Sequence, residues 1–375
     1  MTSQLFTPFD LGPIRLPNRI VIAPMCQYSA DDGCANDWHI AHWTNLGFSG
    51  AGLFVVEATG VERRGRITHG CLGLYSDANE DSIARCLAAA RRHAGPAKFG
   101  IQIGHAGRKA SSQRPWEGGK GLKPAEDAWA TVAPSAVAFD EGWYPPAALD
   151  EAEMARVRDA FVAAAKRAVR IGFDAIEVHM AHGYLMHSFL SPIANKRTDA
   201  YGGSRENRMR YPLEIARAVR DAVPKSIALG ARLSATDWVE GGWTIDDSVA
   251  LTKELKQAGI DFLCASSGGV TNSIKVPVGP GYQVPLAQKI RAETGIATRA
   301  VGMIADPDQA ELIIRQGQAD MVALARAVLD NPRWGWHAAD KLGAKIPYPK
   351  QYERVRASMW PGAQLARPTT LKPAA

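Results

Sequence analysis

The chain has 375 residues, 46% hydrophobic and 22% charged, the composition of a globular protein with a sizeable core. Its 44 Lys and Arg exceed its 38 Asp and Glu by only six, and the basic residues are scattered rather than clustered with aromatics, which argues against a nucleic-acid partner. No run of about 18 apolar residues offers a membrane span, and the five widely spaced cysteines (Cys26, Cys34, Cys71, Cys86, Cys264) lack a C-x-x-C pair, so reduced thiols in a cytoplasmic protein are expected.

In chain order, the start MTSQLFTPFD carries no charged segment followed by an apolar signal core. Eight short β-branched or apolar runs follow: 19–25, 53–58, 99–105, 174–180, 227–235, 261–267, 297–302 and 320–326. Amphipathic stretches lie between them. In DANEDSIARCLAAARRHAG acidic residues open a helix, Arg91, Arg92 and His93 close it, and Gly95 ends it. In EMARVRDAFVAAAKRAVRIG, residues Met154, Val157, Phe161, Ala164, Ala168 and Ile171 share one helical face. A β-then-α unit repeated eight times predicts a parallel sheet closed into a (β/α)8 TIM barrel, class α/β. An open doubly wound sheet is the rival, and the absence of a dinucleotide glycine fingerprint after the first strand counts against it.

Two segments exceed a bare barrel, although no domain boundary is indicated within 1–375. Residues 106–150, rich in Gly, Pro and Trp, form a long excursion after the third strand, of the kind that makes a lid or rim. Residues 345–375 form a C-terminal extension ending in a Pro-rich, poorly periodic stretch.

Active sites of such barrels form at the C-terminal ends of the strands. Those ends carry Pro24-Met25-Cys26-Gln27-Tyr28, then Glu57-Ala58-Thr59, Gln102 and His105, then His179 leading to His182 and Tyr184. Arg232 follows on strand five, Ser266-Ser267-Gly268-Gly269 after strand six, Gly302 on seven, and Ala325-Arg326 on eight. The glycine turns with Arg326 lie where barrels commonly hold a phosphate, though each alone is equally an ordinary turn. His179 and His182 admit three readings. They could be metal ligands with Glu177, which shares the strand parity of His179; polar residues in a core; or neutral N–H donors to an oxygen with Tyr184 as proton donor.

The stretches LPNRIVIAPMCQY, WHIAHW, EATGVERRGRIT, IQIGHAGRKAS, RPWEG, EVHMAHGYLMHSFLSPIANKRTDAYGGSRENRMR, ARLSATDW, LARAVLDNP and QYER together resemble the old yellow enzyme family of flavin-dependent ene-reductases, in its thermophilic-like subclass that includes xenobiotic reductases. The resemblance covers almost the whole chain. It implies FMN as cofactor and NADPH or NADH as reductant of activated C=C bonds, in α,β-unsaturated carbonyl or nitro compounds. By position it implies flavin contacts from Pro24, Met25, Cys26, Ala58, Gln102, His179 and Arg232, and phosphate or ribityl contacts from Gly302, Met303, Ala325 and Arg326. His179 and His182 match the pair that grips the substrate oxygen, Tyr184 the proton donor, and Tyr28 a substrate contact. In this scheme NAD(P)H passes hydride to flavin N5, the alkene takes it at the β-carbon, and Tyr184 protonates the α-carbon. Cys26 matches a position that tunes the flavin, against the plainer reading of a buried inert thiol. Arg354 matches an arginine that reaches into the neighbouring subunit's site, which implies a homodimer or homotetramer.

Two departures from the subclass stand out. Residues beyond Arg354 run past its usual end, with Trp360 as either a pocket or a packing residue, and Val301-Gly302-Met303 lacks the tryptophan that xenobiotic reductases carry there. Arg108, Lys109 and Arg114 near the mouth are candidates for a 2′-phosphate, or solvated loop charges. The rivals are a dienoyl-CoA reductase, against which the cysteine spacing speaks; a metal-dependent hydrolase using His179, His182 and Glu177; and a non-catalytic flavin-binding protein.

Overall fold

The computed structural model describes residues 2–366, so residues 367–375 of the extension lie outside the described residues. A hairpin comes first: β1 (Phe9–Leu11) and β2 (Ile14–Leu16) pair antiparallel across Gly12 and Pro13. The chain then runs through β3 (Ile20–Ile22), α1 (Asp37–Gly47), β4 (Leu53–Gly60), α2 (Asp77–Arg91) and β5 (Lys98–Gly104). Next come β6 (Val132–Ala133), β7 (Ala147–Ala148), α3 (Glu151–Ile171), β8 (Ala175–Met180), α4 (Leu185–Leu190), α5 (Arg205–Ala222) and β9 (Ala228–Ser234). The last part holds α6 (Ile245–Gln257), β10 (Phe262–Ser266), α7 (Val284–Thr294), β11 (Ala297–Ala300), α8 (Pro307–Arg315), β12 (Met321–Leu324), α9 (Arg326–Asp330), α10 (Trp334–Lys341) and α11 (Ala363–Ala366).

Eight of these strands close a barrel in the order β10, β11, β12, β3, β4, β5, β8, β9, with every pairing parallel. Each predicted run coincides with one barrel strand, β4 running two residues past its run to Gly60 and β5 starting one residue early at Lys98. The first is shorter than its run, since β3 ends before Pro24, which has no N–H to give to a ladder. Closure joins β12 to β3, with Leu324 opposite Ile22. The outer helices follow their sequence signals. Asp150 caps Glu153 N and Gly172, at φ 98°, ends α3, whose Met154, Val157, Phe161, Ala164 and Ala168 are buried; Ile171 is only half-buried. Helix α2 begins on its Ser76 cap and stops at Arg91, short of Gly95, which at φ 63° turns the chain toward β5. No helix among the described residues is long and apolar enough to cross a membrane.

Along the axis the barrel interior changes character. At the N-terminal end Leu11 and Leu16 of the hairpin close the barrel against Val21, Leu53, Phe262 and Met321. Phe262 fills the axis because Gly230 leaves room for it; a Cβ at 230 would lie 2.3 Å from its ring. One layer up, buried Gln102, Glu177 and Arg299 meet Cys264. The C-terminal end presents His179, Arg232 and Ser266.

The excursion 106–150 is fastened to the barrel mouth by backbone-directed cations. Arg108 donates to the carbonyls of Val137, Ala138 and Val270, Asn272 bonds Asp140, and Trp129 Nε1 bonds Arg64 O at 2.9 Å. The tail instead packs at the opposite end. Tyr348 and Tyr352 lie against Trp336 and Phe48, with the Arg333 guanidinium 4.3 Å over the Phe48 ring.

Candidate active site

The turn after β8 is backbone-strained and heavily braced. His182 (φ 61°) and Gly183 (φ 76°) are both left-handed, a conformation that costs a non-glycine residue about 1–3 kcal/mol unless its surroundings enforce it. Here they do. His182 N donates to Ser234 Oγ at 2.9 Å, Gly183 N to His187 Nδ1 at 2.8 Å, and Lys109 Nζ to the carbonyls of His182 (2.9 Å) and Gly269 (3.1 Å). His187 Nε2 in turn faces Asp237 Oδ1 at 2.9 Å, both fully buried. Only glycine fits at 183, because a Cβ there would meet Gly269 O at 2.1 Å.

This turn gathers three rings. His179 lies 5.2 Å from His182 and 4.9 Å from Tyr184 between centroids, each pair edge to face. His179 Nδ1 accepts from Ala181 N at 3.2 Å, so the neutral ring carries its proton on Nε2. Burial, with the nearby Arg232 charge second, holds both histidines well below the usual imidazole pKa. Burial likewise pushes the Tyr184 phenol well above its ordinary value, so it stays protonated. His182 Nε2 lies 2.8 Å from Ser266 Oγ, which is 3.1 Å from Gln283 Oε1.

The segment after β3 is pinned from below. Gln27 N donates to Glu57 Oε2 at 2.8 Å, and Glu57 faces buried His39 at 3.5 Å. That holds half-buried Pro24, Met25 and Cys26 and sets Tyr28 at φ 51°, its ring edge-on to Trp116 of the excursion at 6.0 Å. Burial first, then Cys71 and Glu57, keep the Cys26 thiol protonated, a poor nucleophile. Burial also raises Tyr28.

Strand register brings the remaining candidates together. Ala58 pairs with Gln102, Gln102 with Glu177, and His179 with Arg232. The Arg232 Nε is buried without a hydrogen-bond partner. Gly302 (φ 114°) and Met303 (φ 50°) form a left-handed pair after β11, and Ala325 and Arg326 follow β12; across the barrel seam these lie beside Pro24–Cys26. Arg354 is exposed on the tail, whose aromatic anchor sits at the far end of the barrel from the mouth.

The arginines and lysine proposed for a 2′-phosphate are otherwise engaged. Arg108 is buried on three backbone carbonyls, half-buried Lys109 is held on two with its pKa lowered by desolvation to about 8, and Arg114 holds Tyr28 O and Glu117. Each serves the rim's own backbone. Sequence reasoning did not single out the supports His187, Asp237 and Gln283. Glu57 and Ser266 carried a signal, their place at a strand end.

Comparison with known proteins bears on the family and the fold. A model of the NADH:flavin oxidoreductase / NADH oxidase family matches residues 4–344. The chain is similar to NADPH dehydrogenase of Geobacillus sp. (strain WCH70), 42% identical over 356 residues, which cover 94% of this chain and 99% of that one. It is also 42% identical over 355 residues to NADPH dehydrogenase of Listeria innocua serovar 6a, with the same coverage of 94% and 99%. Among solved structures, morphinone reductase superposes with a TM-score of 0.75 at 27% identity over 93% of this chain and 92% of that one. Morphinone reductase in complex with tetrahydroNAD gives 0.72 at 27% identity over 98% and 97%.

Proposed function

The chain belongs to the NADH:flavin oxidoreductase / NADH oxidase family, the old yellow enzyme-like group of FMN- and NAD(P)H-dependent oxidoreductases, and from that premise we propose that it reduces C=C bonds activated by a carbonyl or nitro group. Three features fit FMN at the mouth. The buried Arg232 guanidinium, its Nε without an acceptor, suits the electron-rich N1–C2 edge of the ring. Gln102, two strands away, spends its NH2 on Glu177 and keeps its carbonyl for another donor, and the left-handed backbone at Gly302 and Met303 follows the strand next to the one that leads to exposed Arg326, a pairing suited to phosphate. Pro24, Met25, Cys26 and Ala58 would line the same ring.

Bound there, FMN supplies the hydride relay between NAD(P)H and the alkene β-carbon. The protein does the rest. His179 Nε2–H holds the substrate oxygen on which negative charge builds, and His182 joins it through Nδ1–H when the Ser266 hydroxyl turns to donate to His182 Nε2; one preorganised donor of this kind is typically worth about 3–4 kcal/mol. Tyr184 gives its proton to the α-carbon, and Tyr28 touches the substrate from the opposite wall. The observation that carries the reading is the convergence of two neutral imidazoles and a protonated phenol beside a guanidinium whose buried Nε has no partner. A metal-hydrolase reading would need Glu177 as third ligand, and its two oxygens are taken by Gln102 and Arg299 one layer below.

The exposed Arg354, remote from its own chain's mouth, supports a second subunit's site as its place. We expect a homodimer or larger assembly in which removal of the residues after Pro349 lowers turnover at least about tenfold; a monomeric truncate with full activity defeats this. For the reaction itself, the test is a visible spectrum taken anaerobically with NADPH and then cyclohexenone. Bleaching followed by return of the flavin bands supports ene-reduction. Bleaching without return on any activated alkene overturns it and leaves only the dehydrogenase half.

A further inference from the structure

An arginine in the centre of a barrel needs a reason. Arg299 is fully buried on β11, paired with Glu177 on β8, and its Nε and Nη1 find no hydrogen-bond partner. Burying such a pair rarely adds stability, because removing two charges from water costs more than their attraction returns unless every donor is satisfied. Apolar side chains in this layer would stabilise the barrel at least as well. The pair must be judged by what Glu177 does with its other oxygen.

That oxygen, Oε1, accepts from Gln102 Nε2 at 2.7 Å. A carboxylate only accepts, so the Gln102 amide has one permitted orientation: its NH2 points down to Glu177 and its carbonyl is turned away. The flavin pyrimidine edge reads acceptor, donor, acceptor, with N3–H as the single donor. We propose that Glu177, held by Arg299, is a positioning residue that locks Gln102 with its carbonyl toward the cofactor, so that N3–H meets an acceptor rather than a second donor. The inference rests on the flavin site proposed above and adds two residues that do not themselves touch the ring.

The same geometry makes the substitutions asymmetric. In Glu177→Gln one oxygen remains, and Arg299 claims it. The new NH2 then faces Gln102, which must flip and turn its own NH2 to the flavin. Removing the cation as well, in Glu177→Gln/Arg299→Met, frees the new carbonyl to face Gln102 and restores the original orientation.

The experiment is reconstitution of apoprotein with FMN, followed by flavin fluorescence, together with the NMR resonance of the N3–H group in 15N-labelled FMN. Glu177→Gln is expected to weaken FMN binding roughly ten- to a hundredfold, the effect of one buried mismatched donor, and to shift the N3–H resonance. The double variant should return within about threefold of wild type with the resonance restored. A single variant that binds FMN like wild type with an unmoved resonance, or a double variant no better than the single, overturns the proposal. Should the single variant not fold, the double variant decides alone, and a tenfold loss in it is fatal. Failure of the wild-type apoprotein to take up FMN would instead strike the flavin site itself.

Discussion

The two ends of the barrel solve opposite problems. At the N-terminal end the β1–β2 hairpin seals the axis with leucines, and Phe262 fits into space left by a glycine. At the C-terminal end a guanidinium nitrogen is left without a partner, Tyr28, His182 and Met303 take left-handed backbone, and three rings crowd one turn. Good packing lowers the energy of the folded chain; unsatisfied donors raise it and await a ligand. The contrast separates where this protein keeps its stability from where it keeps its chemistry.

That separation is open to test, beginning with the largest effect. Tyr184→Phe should slow alkene-dependent reoxidation about 10²- to 10⁴-fold while NADPH still bleaches the flavin at nearly the wild-type rate in stopped flow. Equal loss in both half-reactions contradicts the proton-donor role. At the other end, Leu16→Ala should cost about 2–5 kcal/mol in denaturant unfolding and leave turnover per folded molecule unchanged. A matching fall in turnover would break the division between the ends. Third comes pH. His179 and His182 have native pKa values pushed well below 6.5, so they stay neutral while the unfolded chain takes up protons. Their full contribution is therefore present above about pH 6.5 and is lost as pH falls, by roughly 1.4 kcal/mol per pH unit for each histidine. His179→Asn/His182→Asn should flatten the acid limb of stability against pH; an unchanged slope refutes neutral burial. Smallest is Trp116→Ala on the rim, which removes an edge contact with Tyr28 worth about 0.5–1.5 kcal/mol. We expect a KM for the alkene raised about two- to tenfold and an unaltered NADPH step.

Sequence patterns disclosed the eight strands because strands covered on both faces are nearly continuous apolar runs, and they disclosed His179, His182 and Tyr184 because these lie at or just past the end of one. The hairpin escaped notice: FDL and IRL are three residues each, too short for periodicity, although Gly12-Pro13 between them is a turn signal. Arg299 was illegible for another reason. In ATRAV it reads as a polar break in a strand, and the partner that gives it meaning lies 122 residues earlier. Arg108 and Lys109 misled in the reverse direction. A Gly- and Pro-rich stretch suggests solvated charge, yet backbone carbonyls consume both head groups. Side chains whose partners are distant backbone atoms leave no local pattern.

Closure of the barrel at β12 and β3 has a consequence for the order of assembly. Arg19 reaches across this seam to Asp320 O, 301 residues away, so its loop is among the last that a folding chain can close. Pro24–Cys26 and Ala325–Arg326 flank that same seam, one segment leaving each strand. On the proposed function, a chain with seven strands in place and the eighth unzipped would have its histidine pair and no complete berth for the flavin, so flavin uptake by a refolding chain is expected to lag formation of the other seven strands.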